Sequence, residues 1–340
     1  MYILGIETSC DDTCAAVLSD DKIISNVISS QTDLHQQWGG VVPDIAKRAH
    51  QERIDPVVKL ALKRAKITIE QINLIAATRG PGLGIALAVG LNYAKDLAQK
   101  YKKPIVAVNH VEGHLLSVFL KNSRGKPNFT PLFSSLGLTV SGGHTKIVLL
   151  ENIGDYHIVG ETLDDAAGEA LDKSAKLLGL GYPGGPVIEQ IAKGGDCHFL
   201  KLPSPLPEKA NFNLSFSGLK TSFYYQIKDW DVDKRMQYLS NLAATFQNAV
   251  FDHLERKFSL IIDEYKPLSL LASGGVLANV LLRTRLRRLA RRKHLPLYLP
   301  YSKKLNTDNA AMIALAGYHQ FKRIGSSDIE NIDISPRFEL

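Results

Sequence analysis

Two histidines in the middle of the 340-residue chain have a spacing that suits a metal ion. His110 and His114 are four residues apart in the run 109–114. On a helix, side chains at i and i+4 share one face with Cβ atoms roughly 5–6 Å apart, so one ion can contact both. The alternative is a pair of ordinary core or solvent-exposed histidines, and the spacing alone leaves both readings open.

A metal site built on two histidines needs a further ligand, and Asp308 is the strongest candidate. It follows an irregular polar run, 301–306, and opens a predicted helix of small residues. A simple N-cap role is the alternative for an aspartate at a helix start. Two imidazoles and one carboxylate leave coordination positions open for substrate, which favours a catalytic Fe(II) or Zn(II) over a closed structural site.

Glu112 lies between the two histidines, but it does not match the zinc protease motif. That motif has glutamate directly after the first histidine, where it activates the metal-bound water. Glu112 is two residues on and is expected to point to roughly the opposite side of the helix. We therefore predict a solvated or structural carboxylate, and a metalloprotease is disfavoured.

The elements that must hold these residues form a repeated pattern. A strand, a polar turn and a returning strand open the chain and reappear near its middle, and further strands alternate with helices. A duplicated meander with crossover helices implies an α/β protein with two similar lobes and a cleft between them. Strands are predicted at 2–6, 15–18, 22–29, 74–77, 104–108, 136–140, 146–150, 157–160 and 268–272, and helices at 55–65, 87–100, from about 109 and from about 277.

The lobes are predicted from this repeat and from composition. We place the N-terminal lobe at 1–120 plus about 308–340, and the C-terminal lobe at about 132–307. The polar segment 121–131, with its Gly and Pro residues, is the candidate link. Irregular inserts are predicted at 203–207 and 211–217.

Composition narrows the classes of function. Apolar residues make up 45% of the chain, the net charge is +7 and the pI is about 9.1, which favours a folded protein with a polyanionic partner. Three cysteines, Cys10, Cys14 and Cys197, fit a reducing compartment and form no zinc motif. No signal peptide or long apolar stretch is evident, so we expect a cytoplasmic protein without a membrane span.

An ordered set of short motifs resembles one family over nearly the whole chain. The motifs are residues 7–13 (ETSCDDT), 39–43 (GGVVP), 80–83 (GPGL), 109–114 (NHVEGH), 140–145 (VSGGHT), 164–170 (DDAAGEA), 182–186 (YPGGP), 215–220 (SFSGLK), 273–276 (SGGV) and 308–311 (DNAA). Any one of them is weak, but together they resemble the bacterial tRNA N6-adenosine threonylcarbamoyltransferases (TsaD), once described as glycoproteases.

The resemblance implies a fold, a reaction and partners. The fold is the duplicated actin-like, ribonuclease H-like fold of the sugar kinase and heat-shock ATPase superfamily. The reaction moves a threonylcarbamoyl group from L-threonylcarbamoyladenylate to N6 of adenosine-37, in tRNAs that read codons beginning with A, and releases AMP. A TsaB-like paralogue and a TsaE-like ATPase are the implied protein partners.

The resemblance also implies site residues. Metal ligands would be His110, His114 and Asp308, binding Fe(II) or alternatively Zn(II). The substrate loop would be Thr139, Val140, Ser141, Gly142 and Gly143, with further substrate contacts at Asp172, Gly185, Glu189 and Asn279. Glu189 departs from the family, where many members carry aspartate, and Thr139 stands where an apolar residue is common.

Asp11, in the first polar turn, is the candidate catalytic group. It could accept a proton from the attacking amine or orient that amine. An Asx residue that stabilises the turn is an equal alternative.

Seven basic residues crowd one predicted helix and could contact tRNA phosphates. The alternative is a solvated face with some arginines paired. These residues are Arg283, Arg285, Arg287, Arg288, Arg291, Arg292 and Lys293.

Four other functions compete with tRNA modification. A kinase or ATPase of the same fold would leave the two histidines without a role. A non-catalytic paralogue would not need all three ligands, and the position of Glu112 disfavours a metalloprotease. A small-molecule carbamoyltransferase is the closest competitor, and the basic charge favours RNA over it.

Overall fold

The computed structural model describes residues 1–129, 132–208 and 210–340, which form two compact units. Unit 1 consists of Met1–Pro131, Asn152–Asp155 and Leu299–Leu340, and unit 2 of Leu132–Glu151 and Tyr156–Tyr298.

In the part of the chain that the structure describes, ten strands form two sheets. They are β1 (Tyr2–Glu7), β2 (Asp12–Ser19), β3 (Lys22–Ser30), β4 (Leu74–Gly80), β5 (Ile105–Asn109), β6 (Ser135–Val140), β7 (Thr145–Asn152), β8 (Asp155–Glu161), β9 (Ser269–Ser273) and β10 (Leu297–Tyr298).

The α-helices of the described residues vary from one turn to more than seven turns. They are α1 (Thr32–His35), α2 (Pro43–Ala65), α3 (Gly84–Tyr101), α4 (His110–Leu116), α5 (Ala167–Leu177), α6 (Gly184–Ile191), α7 (Ser217–Ile227), α8 (Val232–Gln237), α9 (Leu239–Tyr265), α10 (Val280–Arg292) and α11 (Ala310–Ile324).

Both units contain a five-stranded sheet with the same order of strands. The sheet of unit 1 has the order β3-β2-β1-β4-β5, and that of unit 2 has the order β8-β7-β6-β9-β10. In unit 1, β1 pairs antiparallel with β2 and parallel with β4. In unit 2, β6 pairs antiparallel with β7 and parallel with β9. The predicted duplication of an α/β meander is therefore confirmed.

The sheet of unit 1 is covered by helices on both faces. Leu4 and Ile6 of β1 pack into one buried cluster with Val57 of α2 and Leu91 of α3. Side chains alternate between the faces of a strand, so Gly5 faces the other way. A Cβ at Gly5 would lie 2.2 Å from the carbonyl oxygen of Ala310, so this glycine lets α11 approach the opposite face of the sheet.

The predicted start of α2 at residue 55 is wrong, because the helix begins at Pro43. Its first three turns bury only small or polar residues, namely Ala46, Ala49 and His50. Such residues give weak apolar periodicity, which is the signal on which the prediction depended. Proline is well tolerated at the first helical position, where its missing N–H costs nothing.

The structure can be compared with the predicted link and with the two predicted inserts. The candidate link 121–131 starts attached to unit 1, because Lys121 pairs with the carboxylate of Asp21 at 2.6 Å. Thr130 and Pro131, at its end, lie outside the described residues. The inserts at 203–207 and 211–217 contain no regular strand or helix up to Ser217, where α7 begins.

No helix among the described residues is long and apolar enough to cross a membrane.

Candidate active site

The helix that carries both histidines starts directly after the edge strand β5. Asn109 ends β5 and caps α4, since its side-chain oxygen accepts hydrogen bonds from the N–H groups of Val111 (2.8 Å) and Glu112 (3.2 Å). Such a cap satisfies backbone donors that have no partner within the helix. His110 is therefore fixed at the first helical position, with His114 one turn further on.

Packing of α4 against α11 brings Asp308 to the histidines. A Cβ at Gly113 would lie 2.9 Å from Cδ1 of Ile313, so the glycine permits close contact between the two helices. The N-cap of α11 is Asn309, whose side chain accepts a hydrogen bond from the N–H of Met312 at 3.1 Å. The alternative that Asp308 is a simple N-cap is therefore wrong, because Asn309 holds that position.

The three predicted ligands form one cluster within unit 1. Oδ1 of Asp308 lies 3.1 Å from Nε2 of His114 and 3.5 Å from Nε2 of His110. Each of the three residues offers a ligand atom, and these atoms all lie within 4.8 Å of one another. The imidazole rings are nearly perpendicular, with an interplanar angle of 87° and centroids 4.7 Å apart.

The donor set fits a divalent cation. Two imidazole nitrogens approach the same carboxylate oxygen, whereas Nδ1 of His114 is buried and has no hydrogen-bond partner among the described residues. Two nitrogens and one oxygen at this spacing suit the open metal sites of catalytic Fe(II) and Zn(II) enzymes. The residues present therefore fit the metal site that was predicted from the sequence.

Glu7 is a site residue that the sequence did not single out. It ends β1, is fully buried, and its Oε2 lies 3.0 Å from Nδ1 of His110. Burial alone would lower the pKa of His110, but the carboxylates of Glu7 and Asp308 outweigh burial and raise that pKa to about 9. For His114, burial outweighs the contact with Asp308 and lowers the pKa.

Glu112 is also buried, with 6% of its surface exposed, so the predicted solvated carboxylate is wrong. The helix that holds it is buried at every position, because β5 and α11 cover it. The alternative structural role stays a prediction.

Asp11, the candidate catalytic group, lies in the turn between β1 and β2 in unit 1. Hydrogen bonds fix this turn on both sides: Gln31 donates its N–H to the carbonyl oxygen of Asp11 at 2.9 Å, and Nε2 of His50 lies 2.9 Å from that of Cys10. Burial and then the negative charge of Asp308 raise the pKa of Asp11. A raised pKa suits a group that accepts a proton. The catalytic role of Asp11 stays a prediction.

Five of the predicted substrate contacts line one cavity in unit 2, with a volume of about 130 Å³. Small or apolar residues form its other walls, which suits a flat ring. The five are Gly142, Asp172, Gly185, Glu189 and Asn279, and the walls include Leu171, Pro186 and Val276.

The polar side chains of this cavity also hold its walls in place. Oδ1 of Asp172 accepts hydrogen bonds from the N–H groups of Gly184 (2.7 Å) and Gly185 (3.1 Å) at the start of α6. Glu189 accepts from the N–H of Val280 at 2.7 Å, and Asn279 caps α10. Each of the three therefore orders a helix start at the cavity.

The predicted substrate loop continues from β6 toward the cavity. Thr139 and Val140 are the buried end of the strand. Gly142 and Gly143 are both exposed, and Gly142 lines the cavity. Ser141 is buried and its hydroxyl accepts a hydrogen bond from the N–H of His144 at 3.0 Å.

The glycine joint after β9 lies against this loop. A Cβ at Gly274, whose φ is +100°, would lie 2.4 Å from the carbonyl oxygen of Val140. Only glycine adopts this backbone conformation without strain and leaves room for the neighbouring strand. Because β6 and β9 are parallel, both glycine joints lie at the same edge of the sheet.

The basic cluster of α10 divides into paired and unpaired side chains. Arg285 contacts Asp252 and Glu255 of α9, and the same face holds Arg292–Glu255 (2.6 Å) and Lys293–Asp263 (2.5 Å) ion pairs. The alternative that some arginines are paired is confirmed for Arg285 and Arg292, and Lys293 is paired as well. Arg287, Arg288 and Arg291 are exposed, and no ion pair holds them within the described residues.

Solved structures similar to this protein have the fold predicted for it. HypF from T. kodakarensis matches with a TM-score of 0.62 at 12% identity, over 97% of this chain and 49% of that one. The ROK hexokinase from Thermus thermophilus matches with a TM-score of 0.51 at 15% identity, over 95% of this chain and 100% of that one. With the duplicated sheets, these matches confirm the fold of the sugar kinase type.

Sequence comparison identifies the family. Residues 22–315 match the family described as TsaD, tRNA N6-adenosine threonylcarbamoyltransferase. The protein of that name from Thermosipho melanesiensis is 46% identical over 340 residues, which cover all of both chains. The chain therefore belongs to the tRNA N6-adenosine threonylcarbamoyltransferase family.

Proposed function

We propose that this protein transfers a threonylcarbamoyl group from L-threonylcarbamoyladenylate to N6 of adenosine-37 in tRNAs that read codons beginning with A. The observation that carries the proposal is the cluster of His110, His114 and Asp308 in a chain of this family. A kinase, an ATPase or a scaffold would have no need of such a cluster.

The chemistry asks mainly for positioning and charge neutralisation. Adenosine N6 is a weakly nucleophilic aromatic amine, whereas the carbonyl carbon of the adenylate is activated, because AMP is a good leaving group. In the proposed reaction, a bond forms between N6 and that carbon, the bond to the phosphate oxygen breaks, and one N6 proton leaves. Holding the amine and the carbonyl carbon close together in the right orientation supplies a large part of the rate acceleration.

The described residues have separate tasks in this proposal. The cavity of unit 2 would hold the adenine ring against Leu171, Pro186 and Val276, and the glycine joints would offer N–H groups to the ribose and phosphate. Asp11 would accept the proton from N6. That these groups and the metal ligands act on one substrate stays a prediction.

His110, His114 and Asp308 would hold one divalent cation, Fe(II) or Zn(II). Such a cation supplies Lewis-acid polarisation of an oxygen atom on the transferred group. The ligand set supports either metal, since both accept imidazole and carboxylate ligands.

The proposal is tested by replacing His110. His110→Ala removes one of three ligands, so we expect metal binding and transfer of labelled threonylcarbamoyl to tRNA to be lost together. The assay contains a TsaB-like paralogue and a TsaE-like ATPase, the partners that the family resemblance implies. His198→Ala, which changes an exposed histidine of unit 2, is the matched control and should keep both properties. Wild-type transfer by metal-free His110→Ala would refute the role of the metal.

A further inference from the structure

Glu7 is a fully buried carboxylate that is not one of the proposed metal ligands. Glutamate is almost never fully buried unless it is paired. It ends β1, next to the parallel strand β4 in the sheet. Its surroundings therefore have to stabilise a negative charge away from water.

Donors from three parts of unit 1 surround this carboxylate. Oε1 accepts a hydrogen bond from the N–H of Ser9, and Oε2 accepts one from the hydroxyl of Thr78 at 2.5 Å. Oε2 also lies 3.0 Å from Nδ1 of His110. Glutamate is ordinarily ionised near neutral pH, and the donors around both oxygen atoms suit a carboxylate that accepts hydrogen bonds.

An ionised carboxylate can only accept hydrogen bonds, so Nδ1 of His110 must carry the proton that joins them. The ring then directs Nε2, the other nitrogen, toward Oδ1 of Asp308 at 3.5 Å. A neutral histidine that carries its proton on Nδ1 has its free lone pair on Nε2, where a metal ion can bind. The contact thus determines both the tautomer and the direction of the ring.

We propose that Glu7 is a positioning residue of the metal centre, and that its carboxylate raises metal affinity by holding the Nδ1 proton of His110. This inference rests on the proposed metal site. A carboxylate behind a metal-binding histidine fixes the ring and makes its free nitrogen more basic, and loss of such a partner typically costs about 10–100-fold in affinity.

The position of Glu7 in the sheet explains why it can act in this way. β1 is the central strand, and it pairs with β2 on one side and β4 on the other. Thr78 of β4 holds the same oxygen atom that contacts His110. The carboxylate therefore has little freedom to turn away from α4, and the ring orientation is built into the sheet.

The test replaces Glu7 by its amide. In Glu7→Gln the side chain keeps its size, but its NH₂ group must face either the N–H of Ser9 or the pair of Thr78 and His110. At least one of these groups then loses its acceptor. Zn(II) affinity, measured by competition with a fluorescent chelator, should fall about 10–100-fold. Asp55→Asn is the matched control, because it turns another carboxylate of unit 1 into its amide, and Asp55 contacts Tyr93 and Lys59 and not the metal ligands. It should leave the Zn(II) affinity unchanged.

A second readout separates positioning from general stability. In protein labelled with ¹⁵N-histidine, the ring resonances of His110, assigned by their loss in His110→Gln, report the tautomer. At a pH above 9, where the ring of the wild type is neutral, that ring should carry its proton on Nδ1, and Glu7→Gln should populate the Nε2–H form. Glu7→Asp keeps the charge but withdraws it by one methylene, so its affinity should lie between those of the wild type and Glu7→Gln.

The possible outcomes decide between distinct conclusions. A folded Glu7→Gln protein with wild-type affinity and an unchanged tautomer would overturn the role of Glu7. If Glu7→Gln does not fold, Glu7→Asp decides, and wild-type affinity in that variant would overturn the proposal equally. A wild-type protein that binds no Zn(II) would overturn the metal site itself, and with it the proposed function of the cluster.

Discussion

Two buried histidines, His110 and His253, lie in opposite electrostatic environments. Burial lowers the pKa of either ring, because the charged form is penalised away from water. Around His110 two carboxylates reverse this effect. Around His253 the positive charges of Arg256 and Lys257 add to burial, and the pKa falls to about 3. His253 is therefore neutral in the folded protein at any pH near neutrality.

This difference predicts a pH dependence of stability for unit 2. As pH falls below 6.5, the usual pKa of histidine, His253 of the unfolded chain binds a proton, whereas His253 of the folded chain stays neutral down to about 3. The contribution of His253 to the free energy of unfolding is thus fully present above pH 6.5. It is lost as pH falls, at about 1.4 kcal/mol per pH unit. Between pH 6.5 and 4 we expect a loss of about 3 kcal/mol from this residue.

The measurement compares the wild type with His253→Gln. Glutamine keeps an acceptor for the N–H of Ser215, which contacts Nε2 of His253 at 3.1 Å. Both proteins carry Trp38→Phe, so that Trp230 of unit 2 is the remaining tryptophan and reports urea unfolding of that unit. Carboxylates contribute equally to the pH dependence of both proteins. The difference between their unfolding free energies therefore isolates the contribution of His253. Parallel curves of unfolding free energy against pH would contradict the assignment.

At the scale of single residues, the sequence indicated those residues that form local patterns. The spacing of His110 and His114 predicts a shared helix face, and the structure has it. Glu7 lies 103 residues from His110 in the chain, and Thr78 lies 71 residues from Glu7. No local periodicity connects such positions, so their contact depends on the pairing of β1 with β4 and on the start of α4.

Among the elements, α10 shows how a helix face divides its charges. The side that packs toward α9 uses Arg285, Arg292 and Lys293 in ion pairs. The sequence showed the density of cations but not this division, because the acidic partners belong to α9, a separate helix that comes earlier in the chain. The exposed side keeps Arg287, Arg288 and Arg291 available for a polyanion.

Replacing these three exposed arginines by glutamine should weaken tRNA binding and flatten its salt dependence. Each arginine that neutralises a phosphate releases condensed counterions, so the slope of log affinity against log salt should decrease by about 0.7–0.9 for each such arginine removed. We expect a total change of about 2.1–2.7 if all three side chains bind phosphates. The measurement is tRNA binding across a salt series.

The control removes the same charge from unit 1. Lys63, Arg64 and Lys66, at the end of α2, are exposed, so their replacement by glutamine changes the net charge equally. An unchanged slope in the α10 variant, or an equal change in the α2 variant, would count against phosphate binding at α10.

For the whole molecule, the repeat was the feature best predicted from the sequence. The polar turns 7–13 and 141–145 follow equivalent strands, β1 and β6, and both sheets have the same order. Periodicity locates strands well because buried strands alternate with turns. Helix starts were less predictable where small residues line the buried face, as in α2.

The proposed division of labour between the units can be tested by hydrogen exchange. A ligand protects the amides whose local opening it opposes, because binding to the folded form lowers the population of open forms. Zn(II) should protect α4 and the start of α11 in unit 1, where its three ligands lie. AMP should protect the starts of α6 and α10 in unit 2, which form the walls of the cavity.

A stable analogue of threonylcarbamoyladenylate carries both the AMP portion and the threonylcarbamoyl group. In the Zn(II)-loaded protein it should therefore protect the cavity walls and add protection at α4 and the turn that holds Asp11. AMP alone should add none there, because it lacks the group that the metal ligands are proposed to serve. His110→Ala should keep the protection in unit 2 and lose the additional protection in unit 1. An analogue that protects unit 2 alone would show that the cavity and the cluster do not act on one substrate, because a shared substrate must oppose the opening of both.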